Sequence, residues 1–129
     1  MEREHQQIID DIENSKFYEC LELKITHLRT GWCEMHLPIK DLLLDRFGAV
    51  DSKVLYVLCD IAAFAVTCTL VPMEELPVHY SMHFTVISPV SQGGLKITAH
   101  GIEADVGGFI ESKIWGEHDQ LLAVGNIRF

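Results

Sequence analysis

One stretch limits the possible folds more than any other. From Val54 to Val71 the chain is apolar except at Asp60, Thr67 and Thr69, and no proline interrupts it before Pro72. A run of this length without turn residues reads as a helix that is apolar around most of its circumference. In water such a helix needs something large to wrap it, and a curved sheet does so. A bilayer span needs about 20 apolar residues, and a charge near its centre costs about 2.5 to 3.5 kcal/mol. The run is slightly short and carries Asp60, so no membrane partner is expected.

The flanking sequence supplies the sheet. Residues 4 to 14 place Ile8, Ile9 and Ile12 on one stripe of a short amphipathic helix ending at Asn14-Ser15. From Cys20 the period becomes two, with Leu21, Leu23 and Ile25 alternating with Glu22 and Lys24. Thr30-Gly31 then turns the chain into a second run, Trp32 to Leu37. Asp41 to Gly48 is a loop or single helical turn, and the long helix begins near Asp51. After it come strand patterns over Val78 to Ser88, Leu95 to Val106, Phe109 to Trp115 and Leu121 to Phe129. The alternation of Leu95, Ile97 and Ala99 changes phase at Gly101, which predicts a bulge or bend there. Strands segregated around one buried helix give an α+β class, with a curved antiparallel sheet wrapped on a long central helix. The 129 residues fit one domain, a helix over 1–16 followed by a core over 17–129.

Charge and cysteine usage narrow the partners. Asp plus Glu number 19 against 10 Lys plus Arg, a formal net charge of −9. With no basic run to neutralise phosphates, nucleic acid is not expected as a partner, nor is an anionic membrane surface. No apolar export signal follows Met1, so a cytoplasmic location is expected, with Cys20, Cys33, Cys59 and Cys68 as reduced core thiols. His79 and His83 lie four apart, but on a strand that spans about 13 Å, too far for one metal ion. No metal or cofactor is assigned.

The stretch Asp45-Arg46-Phe47-Gly48-Ala49-Val50-Asp51-Ser52-Lys53, with Asp60 inside the helix that follows, resembles the signature of hotdog-fold acyl-CoA thioesterases of the phenylacetyl-CoA and 4-hydroxybenzoyl-CoA thioesterase types. Gly48 matches the early glycine of that pattern and Asp60 its helical acid. Phe84 to Val90, Gly94-Leu95 and Ala123-Val124-Gly125-Asn126 resemble its later strands. Two departures stand in the motif: Asp45 replaces an asparagine, and Asp51-Ser52-Lys53 replaces His-Gly-Gly.

The resemblance implies a hotdog fold and a site between the subunits of a homodimer, with dimers able to pair further. It implies that backbone N–H groups of Ser52 and Lys53 polarise a thioester carbonyl while Asp60 activates water. Asp45, Arg46, Gly48 and Phe64 would then contact an acyl-CoA or another acyl thioester. An aspartate that opens a helix is ordinarily its N-cap, and a capping Asp51 would occupy a donor an oxyanion needs; the alternative is a second acid in the site. His79 falls where the family places a hydroxyl that orients water, and is otherwise a half-exposed strand histidine. A lone carboxylate among apolar neighbours is costly without a reason: either the helix face turns to a wet subunit interface, or Asp60 is a general base, the reading the resemblance favours. The expected function is therefore thioester hydrolysis. A non-catalytic binder of acyl thioesters or lipids is the alternative, and a hydratase or dehydratase ranks below both.

Overall fold

The computed structural model describes residues 2–72, 75, 80–103 and 108–128. Two helices open the chain, α1 (Glu2–Glu13) and the single turn α2 (Lys16–Glu19). A hairpin follows, β1 (Lys24–Arg29) and β2 (Trp32–Pro38), and a short 3-10 turn over Asp41–Leu43 leads to the long helix α3 (Ser52–Leu70). Four strands complete the fold: β3 (Ser81–Val86), β4 (Gly94–Glu103), β5 (Phe109–Trp115) and β6 (Leu121–Arg128). They form one six-stranded sheet in the order β1-β2-β4-β5-β6-β3, every pair antiparallel.

The sheet curves around α3. Alternate residues of the central strands point inward, among them Cys33, Met35 and Leu37 of β2, Leu95, Ile97 and Ala99 of β4, and Ile110 and Ile114 of β5. They pack on Leu55, Leu58, Cys59, Ile61, Ala62, Ala63, Ala65 and Val66 of α3. By length and composition alone α3 could cross a membrane, but half of that span is buried within the fold. Thr67, buried among these side chains, donates its hydroxyl to the Ala63 carbonyl at 2.8 Å, which removes the cost of hiding it. The hairpin is tied to the far end of α3, where the Gly31 N–H donates to Thr69 Oγ1 at 2.9 Å.

Two expectations meet the structure differently. The bulge predicted at Gly101 is present: pairing with β5 shifts register between Gly101 and Glu103. A Cβ at Gly101 would lie 2.9 Å from Leu70 Cδ1, so at the bend the strand passes close against α3. The strand expected from Cys20, in contrast, begins only at Lys24. Residues 16–19 form a helical turn and Glu22 adopts φ 57°, which breaks the extended run. Leu21, Leu23 and Ile25 are nonetheless all buried, so the alternation recorded burial rather than extension. Cys20 is exposed, unlike the core thiol expected, because it lies on this irregular segment.

One stripe of α3 escapes the sheet. Lys53, Tyr56 and Phe64 are exposed on it and Val57 and Asp60 half-buried, spaced three and four residues apart as one helix face requires. Among the described residues β3 is an edge strand that pairs with β6 alone, and Tyr80, Val86 and Ile87 around it are exposed.

Candidate active site

The loop before α3 is built by its own aspartates. Asp45 Oδ1 accepts the Phe47 N–H at 2.8 Å and the Ala49 N–H at 3.2 Å, closing a tight turn. Gly48 sits at φ 84° with no atom within 4 Å of where a Cβ would be, so its requirement is conformational rather than steric. The Arg46 guanidinium lies 5.1 Å from the centre of the Phe47 ring, itself 81% exposed. Asp51 is the N-cap of α3: its Oδ1 accepts the Lys53 N–H at 2.9 Å. The Lys53 ammonium is 3.9 Å from the same oxygen, on a side chain that is 90% exposed.

Asp60 sits two turns further along. The Tyr80 hydroxyl donates to its Oδ1 at 2.7 Å. That bond, then burial, pushes the Tyr80 phenol up to about 12, so it stays a neutral donor at ordinary pH. Tyr18 of α2 is raised by burial and by the charge of Asp60. Tyr56, one turn before Asp60 on the same face, meets Phe84 edge-on with ring centres 5.4 Å apart. The protein's three tyrosines thus gather around one carboxylate.

The backbone beneath Asp60 is also held. Ser112 of β5, fully buried, donates its hydroxyl to the Cys59 carbonyl at 3.0 Å. Opposite, a Cβ on Gly125 would come within 3.2 Å of Cys59 Cβ and 3.0 Å of Met82 Sδ, so a side chain there would press on both neighbours where β6 meets α3. Burial, and after it the charge of Asp60, pushes the Cys59 thiol up to about 12, which leaves it protonated and unsuited to act as a nucleophile. Among the described residues no group of three or more His, Cys, Asp or Glu is arranged to hold a metal ion.

No protein-family model matches the chain, and no curated protein matches it in sequence. Solved structures do. The PaaI protein of the Escherichia coli phenylacetic acid degradation operon is similar with a TM-score of 0.81 at 14% identity, over 98% of this chain and 91% of that one. A mutant of a thioesterase enzyme from Staphylococcus aureus gives 0.79 at 19% identity, over 88% and 96% of the two chains. A mutant of the phenylacetic acid degradation protein PaaI from Thermus thermophilus gives 0.77 at 22%, over 89% and 98%. The chain has the hotdog fold.

Within this hotdog the expected residues fall into separate groups. Asp51, Ser52 and Lys53 share the first turn of α3, and Asp45, Arg46 and Gly48 form the loop before it. A crevice of about 160 Å³ lined by Leu21, Lys53, Val54 and Val57 adjoins that turn. Asp60 is eight residues from Ser52, about 12 Å along the helix axis, and Phe64 one turn beyond that. The first-turn donors and Asp60 of one chain therefore stand two turns apart on α3, and a thioester at the expected site has to span that separation or draw its acid from a second chain. Asp51 spends its carboxylate on the Lys53 N–H, which takes that donor from the expected pair, and Asp45 is likewise committed to its own turn. His79 lies outside the described residues. Tyr80, Tyr56 and Tyr18 were not expected at the site. Tyr56 was legible four residues before Asp60 on the helix face; Tyr80 and Tyr18 come from elements whose approach to α3 depends on the tertiary fold.

Proposed function

We propose that the protein is an acyl-CoA thioesterase-like hydrolase acting as a homodimer. The observation that carries this reading is Asp60, an acid on a stripe of an apolar helix that the described sheet leaves uncovered, about 12 Å from the helix N-terminus that would bind the thioester carbonyl. Two copies facing each other across that stripe would bring the Ser52 N–H of one to Asp60 of the other. The Ser52 N–H lies at the positive end of the helix dipole and suits the developing oxyanion; one such donor is worth about 10²- to 10³-fold in rate.

The reaction then runs as follows. Water adds to the carbonyl carbon while Asp60 takes its proton, and the tetrahedral oxyanion forms against the Ser52 N–H. Collapse of the intermediate breaks the C–S bond, and the thiolate recovers the proton from Asp60 to give a thiol and a carboxylic acid. Phe64 and the crevice beside Val54 and Val57 offer apolar contact to the acyl group, and Lys53 with Arg46 the positive charge for coenzyme A phosphates. Self-association is further supported by the exposed edge strand β3 with Val86 and Ile87, which a second copy would cover.

The capping of Lys53 by Asp51 favours a second reading, a hotdog that binds an acyl thioester without turning it over. One experiment separates the two. Across short, long and aryl acyl-CoA substrates the first predicts hydrolysis, lowered about 10²- to 10⁴-fold by Asp60→Asn with fold and oligomeric state unchanged. Calorimetric binding with no thiol released selects the second, and turnover undiminished in Asp60→Asn refutes the role given to the acid.

A further inference from the structure

We infer that Tyr80 is the positioning residue of the site, holding Asp60 through one oxygen so that the other is presented to water. The inference rests on the thioesterase reading for what Asp60 does, and on geometry for what Tyr80 does. A half-buried aspartate on a helix has two side-chain torsions, and without a partner its carboxylate swings between rotamers. The Tyr80 hydroxyl, 2.7 Å from Oδ1, comes from the segment just before β3 and is fixed to a different element from the acid it holds. A bond between two elements defines a position that a bond within α3 would not.

The surroundings agree with this role. Tyr56 packs on Phe84 of β3, so the face of α3 that carries Asp60 is locked against the same strand whose leading end carries Tyr80. Tyr18 approaches from α2, closely enough that the charge of Asp60 acts on its phenol. A phenol is the apt donor for this task. It is neutral, so it orients the carboxylate without cancelling its charge, where a lysine or arginine would hold the acid as an ion pair and blunt it as a base. No atom of Tyr80 need touch the thioester.

Tyr80→Phe deletes one oxygen and keeps the ring. It should lower kcat about tenfold while KM stays within about twofold, because an ill-oriented base slows the chemical step and leaves binding intact. The independent readout is NMR of tyrosine ring carbons, three resonances among which the Tyr80 signal is the one missing from Tyr80→Phe, followed upward in pH. The Tyr80 signal should lag the ordinary phenol transition near pH ~10, and in Asp60→Asn should shift back toward it. Wild-type kcat in Tyr80→Phe, or a Tyr80 titration that ignores Asp60→Asn, overturns the inference. If the wild-type protein hydrolyses no thioester, the functional reading fails and takes the catalytic consequence with it. The phenol titration then still decides whether Tyr80 holds Asp60.

Discussion

Asp51 performs a structural task at a position where chemistry would prefer something neutral. Its carboxylate satisfies the Lys53 N–H, one of the donors every helix leaves open at its start. It also places a full negative charge beside the turn that the proposed oxyanion must occupy. Asp51→Ala should therefore cost about 1 kcal/mol of stability, read as a lower melting temperature. At the same time it frees a donor and removes repulsion, so KM for an acyl-CoA should fall, and fall further at low ionic strength, where charges act at longer range. Melting curves and KM at two salt concentrations test both parts. A variant that binds more weakly would mean that the carboxylate itself contacts the ligand.

At the scale of elements, the position of Asp60 is set by how closely the sheet approaches α3. Ser112 draws the Cys59 carbonyl toward β5, and Gly125 removes the side chain that would keep β6 away. The two substitutions should differ. Ser112→Ala loses a buried hydrogen bond and leaves no bulk behind, at about 1 kcal/mol. Gly125→Ala puts a methyl 3.0 Å from Met82 Sδ and 3.2 Å from Cys59 Cβ, and where these neighbours do not give by a few tenths of an ångström it costs about 1 to 3 kcal/mol. Denaturant midpoints should rank Gly125→Ala as the less stable, and the reverse order would mean that β6 yields easily.

The same approach of strands to helix explains what the sequence revealed. α3 was legible because its residues are apolar on nearly every face, a pattern only a wrapped helix satisfies, and the Gly101 bulge was legible from the change of phase. The Asp51 cap followed from its place before the helix. The start of β1 was misread because Leu21 and Leu23 are buried from an irregular segment, and burial alone cannot distinguish that from a strand. Tyr80 was out of reach because its bond to Asp60 spans twenty positions and depends on how the chain returns from α3 to the sheet.

For the whole molecule, the spacing of about 12 Å between Ser52 and Asp60 turns a question of assembly into one of activity. If each site combines the first turn of one α3 with the acid of another, two defective chains can repair each other. Ser52→Pro removes the N–H at the first helical position, where proline is tolerated, and the extended ψ of 132° at Asp51 suits a following proline. Asp60→Asn removes the base. Each homodimer should then be nearly inactive. Unfolded together in equal amounts and refolded, the chains should pair at random, so about half the dimers are mixed, each with one intact site out of two. Recovered activity should approach about a quarter of wild type, while each variant refolded alone recovers none. Absence of rescue, with mixed dimers shown to form by differently tagged chains, would mean that the two groups do not share a thioester across the interface. The acid would then need a donor from elsewhere in its own chain.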